Sequence, residues 1–231
     1  EEGKDKEKDQ SYFLWTLTQN DLSHTLFPVG HLEKNKVRSL ARRYGLQVSE
    51  KKDSQGLCFL GEIRMDEFLS HFVSTKSGNV LNVRGEVIGT HNGAVFYTIG
   101  ERHGFKILKK KSQDEAFYVL SKDMIANTLT VSNKESEIMS FSPSKITVKD
   151  VNWITQPAES LLLARIRYRG EKLPMTVKSL AFDKLEVEFR KPVRGLSLGQ
   201  SIVFYLPDEA LAKAGDGEVC LGGAVMDQIL K

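Results

Sequence analysis

KITVKDVNWI (145–154), LLLARIRYRG (161–170), LPMTVKSLA (173–181), KLEVEFRK (184–191), SIVFYL (201–206) and EVCLGGAVM (218–226) are six short apolar segments separated by Gly, Pro and charged turns. Most alternate apolar and polar residues with the two-residue period of a strand that buries one face. Six such runs at this spacing predict an antiparallel β-barrel over 141–231. Within it, RIRYR (165–169) predicts Arg165, Arg167 and Arg169 on one face and Ile166 with Tyr168 on the other. If Ile166 faces the barrel interior, the three arginines form an outward basic stripe and Tyr168 sits inward or at the rim. Cys220 reads as a packed strand cysteine before a Gly-Gly turn.

Working outward from the barrel, NVLNVRGEVIGTH (79–91) alternates and carries Arg84-Gly85-Glu86 at a hairpin turn. AVFYTIG (94–100) and AFYVLS (116–121) read as strands, with the lysine-rich ILKKKSQDE (107–115) as a mobile loop between them. STKSG (74–78) marks a linker before this small β-rich segment. Ahead of it the period is helical. In EKNKVRSLARRYG (33–45), Val37, Leu40, Ala41 and Tyr44 share a face and Gly45 is a C-terminal stop. Arg38, Arg42 and Arg43 lie on or beside its polar face, either solvated or in contact with phosphate. EIRMDEFLSHFV (62–73) reads as a second helix. EEGKDKEKDQ (1–10) reads as a solvated lead-in whose abrupt passage into SYFLWTL suggests a chain cut from something longer. The fold class is α+β, in three parts: a helical 1–73, a β-rich 74–140 and a barrel 141–231.

Composition excludes several classes. Of 231 residues, 40% are hydrophobic and 27% charged, which is ordinary for a globular chain rather than a disordered one. No apolar run approaches the roughly 20 residues that span a bilayer, and no signal peptide precedes the first element. These features predict a cytoplasmic protein with no membrane partner. Two cysteines are too few for a secreted disulfide framework. A net charge of +3 does not by itself predict a nucleic-acid partner. The five histidines, His24, His31, His71, His91 and His103, show no ligand spacing and read as surface or turn residues, so no metal is expected. Neither common phosphate-binding glycine loop occurs. Cys58, in KKDSQGLCFLG (51–61), sits where a polar, lysine-bearing loop meets an apolar run. That context fits either a buried structural cysteine or a reactive thiol whose pKa the lysines depress.

Seven stretches occur in order: KDQSYFLWTL (8–17), LFPVGHLEKNKVRSLA (26–41), KKDSQGLCFLG (51–61), YTIGERHG (97–104), RYR (167–169), LGQSIVFY (198–205) and CLGG (220–223). Together they resemble the tRNA-specific 2-thiouridylases. The resemblance implies replacement of the C2 oxygen of the wobble uridine (U34) by sulfur in tRNAs of the Lys, Glu and Gln type. It implies ATP-dependent adenylation of that oxygen by an N-terminal pyrophosphatase domain, helical at its end, to which 1–73 would belong. The loop that binds ATP is absent from this sequence, so the chain alone is expected to be inactive. Cys58 matches the persulfide-carrying cysteine. A second cysteine of the missing region assists transfer and can pair with Cys58 as a disulfide. Lys8, Asp9 and Gln10 match one tRNA-contacting stretch, Arg167 with Tyr168 a second, and Gln200 a single contact. A cysteine desulfurase or sulfur-relay protein is implied as donor. The family usually has Gln where Glu101 stands and Lys where His103 stands. The alternative reading is a non-catalytic RNA-binding module with Cys58 buried and inert.

Overall fold

The computed structural model describes residues 2–51, 68, 71–72, 76–108, 115–158, 160–181, 183–207 and 219–230. Two compact units divide the chain: Glu1–Lys52 with Ser144–Lys191 and Leu198–Lys231, and Asp53–Pro143 with Pro192–Ser197. The helix expected over 62–73 lies almost wholly outside the described residues, as do 109–114 of the expected mobile loop.

In the second of these units, β1 (Gly78–Leu81), β2 (Val87–His91), β3 (Lys106–Ile107), β4 (Tyr118–Asp123) and β5 (Thr128–Ser132) form one sheet in the order β3-β2-β1-β5-β4. β1 and β5 run parallel and the other neighbours antiparallel. The β1–β2 hairpin turns where the sequence places it. Gly85 takes a positive φ of 80°, and the Asn82 side-chain oxygen accepts from Arg84 N and Glu86 N at 2.9 and 3.0 Å. Val80, Tyr97, Val119, Leu129 and Val131 form its core.

AVFYTIG is not a strand. Ala94–Phe96 is a 3-10 turn, bounded by Gly93 and Gly100 with φ of 132° and 84°. Its backbone groups are satisfied locally and by side chains: Lys122 Nζ donates to Tyr97 O at 2.8 Å, and Ala94 N donates to the Asn127 side-chain oxygen at 2.9 Å. An apolar run needs no sheet partner when its polar groups are met this way.

His91 is not a surface residue either; it is 2% exposed. Gly93 N donates to its Nδ1 at 2.9 Å, so Nε2 carries the proton and donates to Asn127 O at 3.2 Å. Burial lowers its pKa below the ordinary 6.5, with the Asn127 carbonyl opposing weakly. The folded state therefore resists the proton that the unfolded chain accepts. The contribution to stability is complete above about pH 6.5 and falls as pH drops through the unfolded pKa towards the lower folded one. Melting curves between pH 7.5 and 5 (roughly the His window) should show a decline that His91→Asn flattens. An identical slope in both proteins would refute it.

In the first unit, β6 (Lys145–Trp153), β7 (Leu161–Arg165), β8 (Leu173–Ala181), β9 (Lys184–Phe189), β10 (Ser201–Tyr205) and β11 (Cys220–Leu230) close into a barrel in the order β10-β11-β6-β9-β8-β7. All neighbours are antiparallel, and β10 pairs with β7 to complete the ring. Inward positions alternate as read: Ile146 and Val148 on β6, Leu162 and Ala164 on β7, Leu185, Val187 and Phe189 on β9 are all buried.

β10 departs from that alternation. Ile202, Val203, Phe204 and Tyr205 are all 0% exposed. A strand buried on both faces needs a cover on its outer side, and Tyr12 and Trp15 supply it by packing on Val203 and Tyr205. Gly222 and Gly223 are therefore not a turn but part of β11. A Cβ on Gly223 would lie 2.8 Å from the Trp15 ring and 2.7 Å from Ile202 O, so the bare backbone is what admits Trp15.

The helix expected at 33–45 is α2 (Lys34–Arg43), preceded by the short α1 (Gln19–Ser23). Gly45, φ 65°, ends it in a paired C-terminal cap, with Leu46 N donating to Ala41 O and Gly45 N to Arg42 O. Val37, Leu40 and Ala41 are only half-buried, and Tyr44 is 70% exposed instead of facing inward.

Candidate nucleic-acid interface

The acidic and basic residues of 2–10 are not a solvated lead-in. The carboxylates of Glu2, Asp5 and Asp9 each have structural partners. Glu2 is buried, its side chain 1% exposed, and is bonded to Arg165 Nη1, with Lys172 Nζ 3.5 Å away and Lys6 Nζ at 3.1 Å. Asp5 accepts from Glu7 N and Lys8 N at 3.2 Å each and from Lys34 N at 2.9 Å. It thereby caps the N-terminus of α2 from outside the helix, and these bonds, Lys34 first, hold its pKa below the usual carboxylate value. Asp9 accepts from Gly3 N at 2.8 Å, Ser11 N at 3.3 Å and Ser11 Oγ at 2.7 Å. Composition hides this because a carboxylate that closes a loop looks the same in sequence as one that faces water.

The segment is then riveted to the barrel. Tyr12 is 7% exposed and its hydroxyl donates to Ser201 O at 2.9 Å. Asn152 Nδ2 donates to Trp15 O and Leu17 O at 2.7 and 3.0 Å. Burial pushes the Tyr12 phenol up to about 12, opposed by the nearby Arg167 guanidinium. The hydroxyl thus stays protonated and remains a donor.

These contacts bring together most of the residues singled out from sequence. Lys8 and Gln10 are exposed on the segment, while Asp9 is turned to holding the loop. Arg167 is exposed near Tyr12. Tyr168 lies half-buried, its ring 4.9 Å from Phe13 and 6.2 Å from Tyr12. Gln200 precedes the residue that receives the Tyr12 hydroxyl, and its carbonyl accepts from Met226 N at 2.9 Å. Tyr168 and Arg167 thus lie beside the buried Tyr12, Gln200 adjoins the residue that receives its hydroxyl, and Lys8 and Gln10 precede it on the same segment.

The expected stripe of three arginines does not form. β7 ends at Arg165, so the strand alternation stops there. Arg165 turns onto Glu2 and over the Tyr205 ring at 5.2 Å. Arg169 adopts a left-handed φ of 60° in a turn closed by Gly170 N to Arg167 O. Its guanidinium bonds Glu7 O and lies 5.1 Å over Tyr168. On α2, Arg42 is paired with Glu50 at 2.6 Å and Arg38 Nη2 donates to Lys51 O at 3.0 Å. Neither is arranged as a phosphate-binding face.

Cys58 lies outside the described residues. Cys220 is half-buried with its thiol 3.9 Å from Gly222 O. Burial raises its pKa, a backbone hydrogen bond with Gly222 opposing, so it is a poor thiolate source. Among the described residues no cluster of three His, Cys, Asp or Glu could hold a metal, and no helix is long and apolar enough to cross a membrane.

Comparison with known proteins places this geometry. Family models described as "tRNA methyl transferase HUP domain", "tRNA methyl transferase PRC-barrel domain" and "Aminomethyltransferase beta-barrel domain" match residues 1–62, 66–133 and 143–226. Proteins named "tRNA-specific 2-thiouridylase MnmA" from Shewanella sp. strain MR-4 and Shewanella oneidensis are each 40% identical over 235 residues, covering 99% of this chain and 60% of theirs. The chain belongs to the tRNA-specific 2-thiouridylase family. It spans about three-fifths of the length of the curated 2-thiouridylases it matches. The closed six-stranded barrel falls in the stretch matched by the aminomethyltransferase β-barrel model, apart from the end of β11, and the mixed sheet in the stretch matched by the PRC-barrel model. Residues that sequence reading passed over are Glu2, Tyr12, Phe13 and Tyr205. The one available signal was the doubly apolar SIVFY, which calls for a cover without saying what provides it.

Proposed function

We propose that this chain is the tRNA-engaging and sulfur-carrying portion of an enzyme that makes 2-thiouridine at the wobble position U34 of tRNAs of the Lys, Glu and Gln type. The observation that carries the reading is the docking of the segment bearing Lys8 and Gln10 onto the barrel through Tyr12, whose neighbours are Arg167 and Tyr168 and whose hydroxyl bonds the residue after Gln200. A cationic and amide-bearing rim beside stacked aromatics is the surface chemistry that RNA requires. The names of the 2-thiouridylases, 40% identical over nearly the whole chain, favour thiolation over the methyl transfer in two of the family descriptions.

The division into 1–73, 74–140 and 141–231 is kept as the proposed domain plan; family-model boundaries near 62–66 and 133–143 support it. Neither common phosphate-cradling glycine loop occurs in the sequence, and no step through the nucleotide is assigned to its residues. Adenylation of the uridine O2 belongs, on this proposal, to the part of the relatives beyond the matched stretch, and the chain alone does not complete the reaction. Cys58 is the proposed persulfide carrier, loaded by a cysteine desulfurase or a sulfur-relay protein. The reaction is placed in the cytoplasm.

RNA engagement is tested by binding titrations at several salt concentrations. Arg167→Ala should weaken tRNA binding and reduce the slope of log affinity against log salt by about one unit, the signature of one lost phosphate contact. A solvated arginine predicts no change in either quantity, and that result would remove Arg167 from the interface.

A further inference from the structure

We infer that Phe13 is a base-stacking platform that receives an unpaired nucleobase of the bound RNA. The inference rests on the tRNA-binding reading above and assigns Phe13 a part in it.

The exposure of Phe13 is unusual for its setting. It lies in the 3-10 turn Ser11–Leu14, next to Tyr12 and two residues from Trp15, which are 7% and 8% exposed. Those anchors fix the turn to the barrel, yet Phe13 is 55% exposed. The ring is not loose. It meets Tyr12 edge to face at 5.3 Å and Tyr168 at 4.9 Å with a 43° tilt. Tyr168 is backed in turn by the Arg169 guanidinium, which Glu7 O holds in place. Arg169, Tyr168 and Phe13 thus form one contiguous cluster, and its Phe13 ring is more than half open to solvent.

An apolar protein segment could also cover an open ring. Two features favour a base. The cluster is aromatic and cationic, which suits the flat face of a purine or pyrimidine. Lys8 and Gln10, exposed on the segment that leads into Phe13, and the exposed Arg167, which precedes Tyr168, offer phosphate and base-edge partners. Stacking tolerates any base, so Phe13 contributes affinity for an opened loop and not sequence choice.

The test uses the chain as it is, an anticodon stem-loop RNA and a fully paired RNA of equal length. Phe13→Leu, which keeps apolar contact with Tyr168 but removes the π-face, should weaken stem-loop binding by about tenfold. The salt slope and the affinity for paired RNA should not change, and Phe13→Trp should restore binding. Unchanged stem-loop affinity in Phe13→Leu, while Arg167→Ala still weakens it, overturns the stacking role and leaves the tRNA reading standing. Equal losses on both RNAs likewise overturn it. No stem-loop binding by the unmodified chain at any salt overturns the tRNA reading itself, and the inference with it.

Discussion

Replacing Glu2 with alanine is expected to lower the stability of the barrel unit by about 3 kcal/mol. The carboxylate is 1% exposed and faces Arg165 and Lys172, whose side chains are 20% and 11% exposed. Removing one partner of a buried ion pair leaves the others charged and desolvated, which typically costs about 3–5 kcal/mol. The lower end applies because both cations retain the face of Tyr205, at 5.2 and 4.3 Å. Lys6, 57% exposed, adds little. The loss should be seen first in the 2–17 segment, since Glu2 ties it to β7. Trp15 emission, from a ring 8% exposed, should shift towards that of a solvated indole at lower denaturant than in the unmodified chain. Because the same segment carries Lys8 and Gln10, RNA affinity should fall with it. A change below about 1 kcal/mol, the range of an exposed pair, would show that Glu2 does not lock the segment.

The barrel was legible and its cover was not, for one physical reason. Strand alternation and turn residues act over a few positions, so all six strands could be read from local pattern. The contact that completes β10 joins Tyr12 to Ser201 across 189 positions, and nothing local encodes it. The same limit explains the errors. RIRYR was read as a continuous strand, but the chain leaves the sheet at Arg165 and turns through a left-handed Arg169. EEGKDKEKDQ was read as solvent-facing, because a buried Glu2 is visible only once Arg165 and Lys172 are in place. AVFYTIG has strand composition, yet Lys122 and Asn127 satisfy its backbone from another hairpin. Tyr12 stands inside the motif KDQSYFLWTL, but no local pattern marks it as the residue whose hydroxyl reaches Ser201.

In a full-length family member carrying this sequence, Cys58→Ser is expected to reduce tRNA thiolation below detection while leaving tRNA affinity within about twofold, since no phosphate or base contact is removed. A hydroxyl is close to a thiol in size but cannot hold a second sulfur as a persulfide, so the group that delivers sulfur to C2 disappears with no large change in shape. Two routes end in the same dependence. In both, the adenylated O2 leaves C2 as AMP. In one, the terminal sulfur of the Cys58 persulfide displaces it directly, and a second cysteine then attacks the Cys58 sulfur, releasing the thiolated product and forming a disulfide with Cys58. In the other, the second cysteine attacks the Cys58 sulfur first, forming that disulfide and expelling hydrosulfide, which attacks C2. Either leaves a disulfide that takes two electrons from a thiol reductant before the next turnover. Cys220→Ser is the control. That thiol is half-buried among Tyr12, Trp15 and Tyr205 with its pKa raised, so activity should persist, with some loss of stability from a hydroxyl placed in an apolar cluster. Iodoacetamide supplies a second readout on the isolated chain. Fast, pH-dependent labelling at Cys58 and slow labelling at Cys220 fit a sulfur carrier beside a structural cysteine. Retained thiolation in Cys58→Ser, or a Cys58 that labels no faster than Cys220, would leave the chain as an RNA-binding module with an inert thiol.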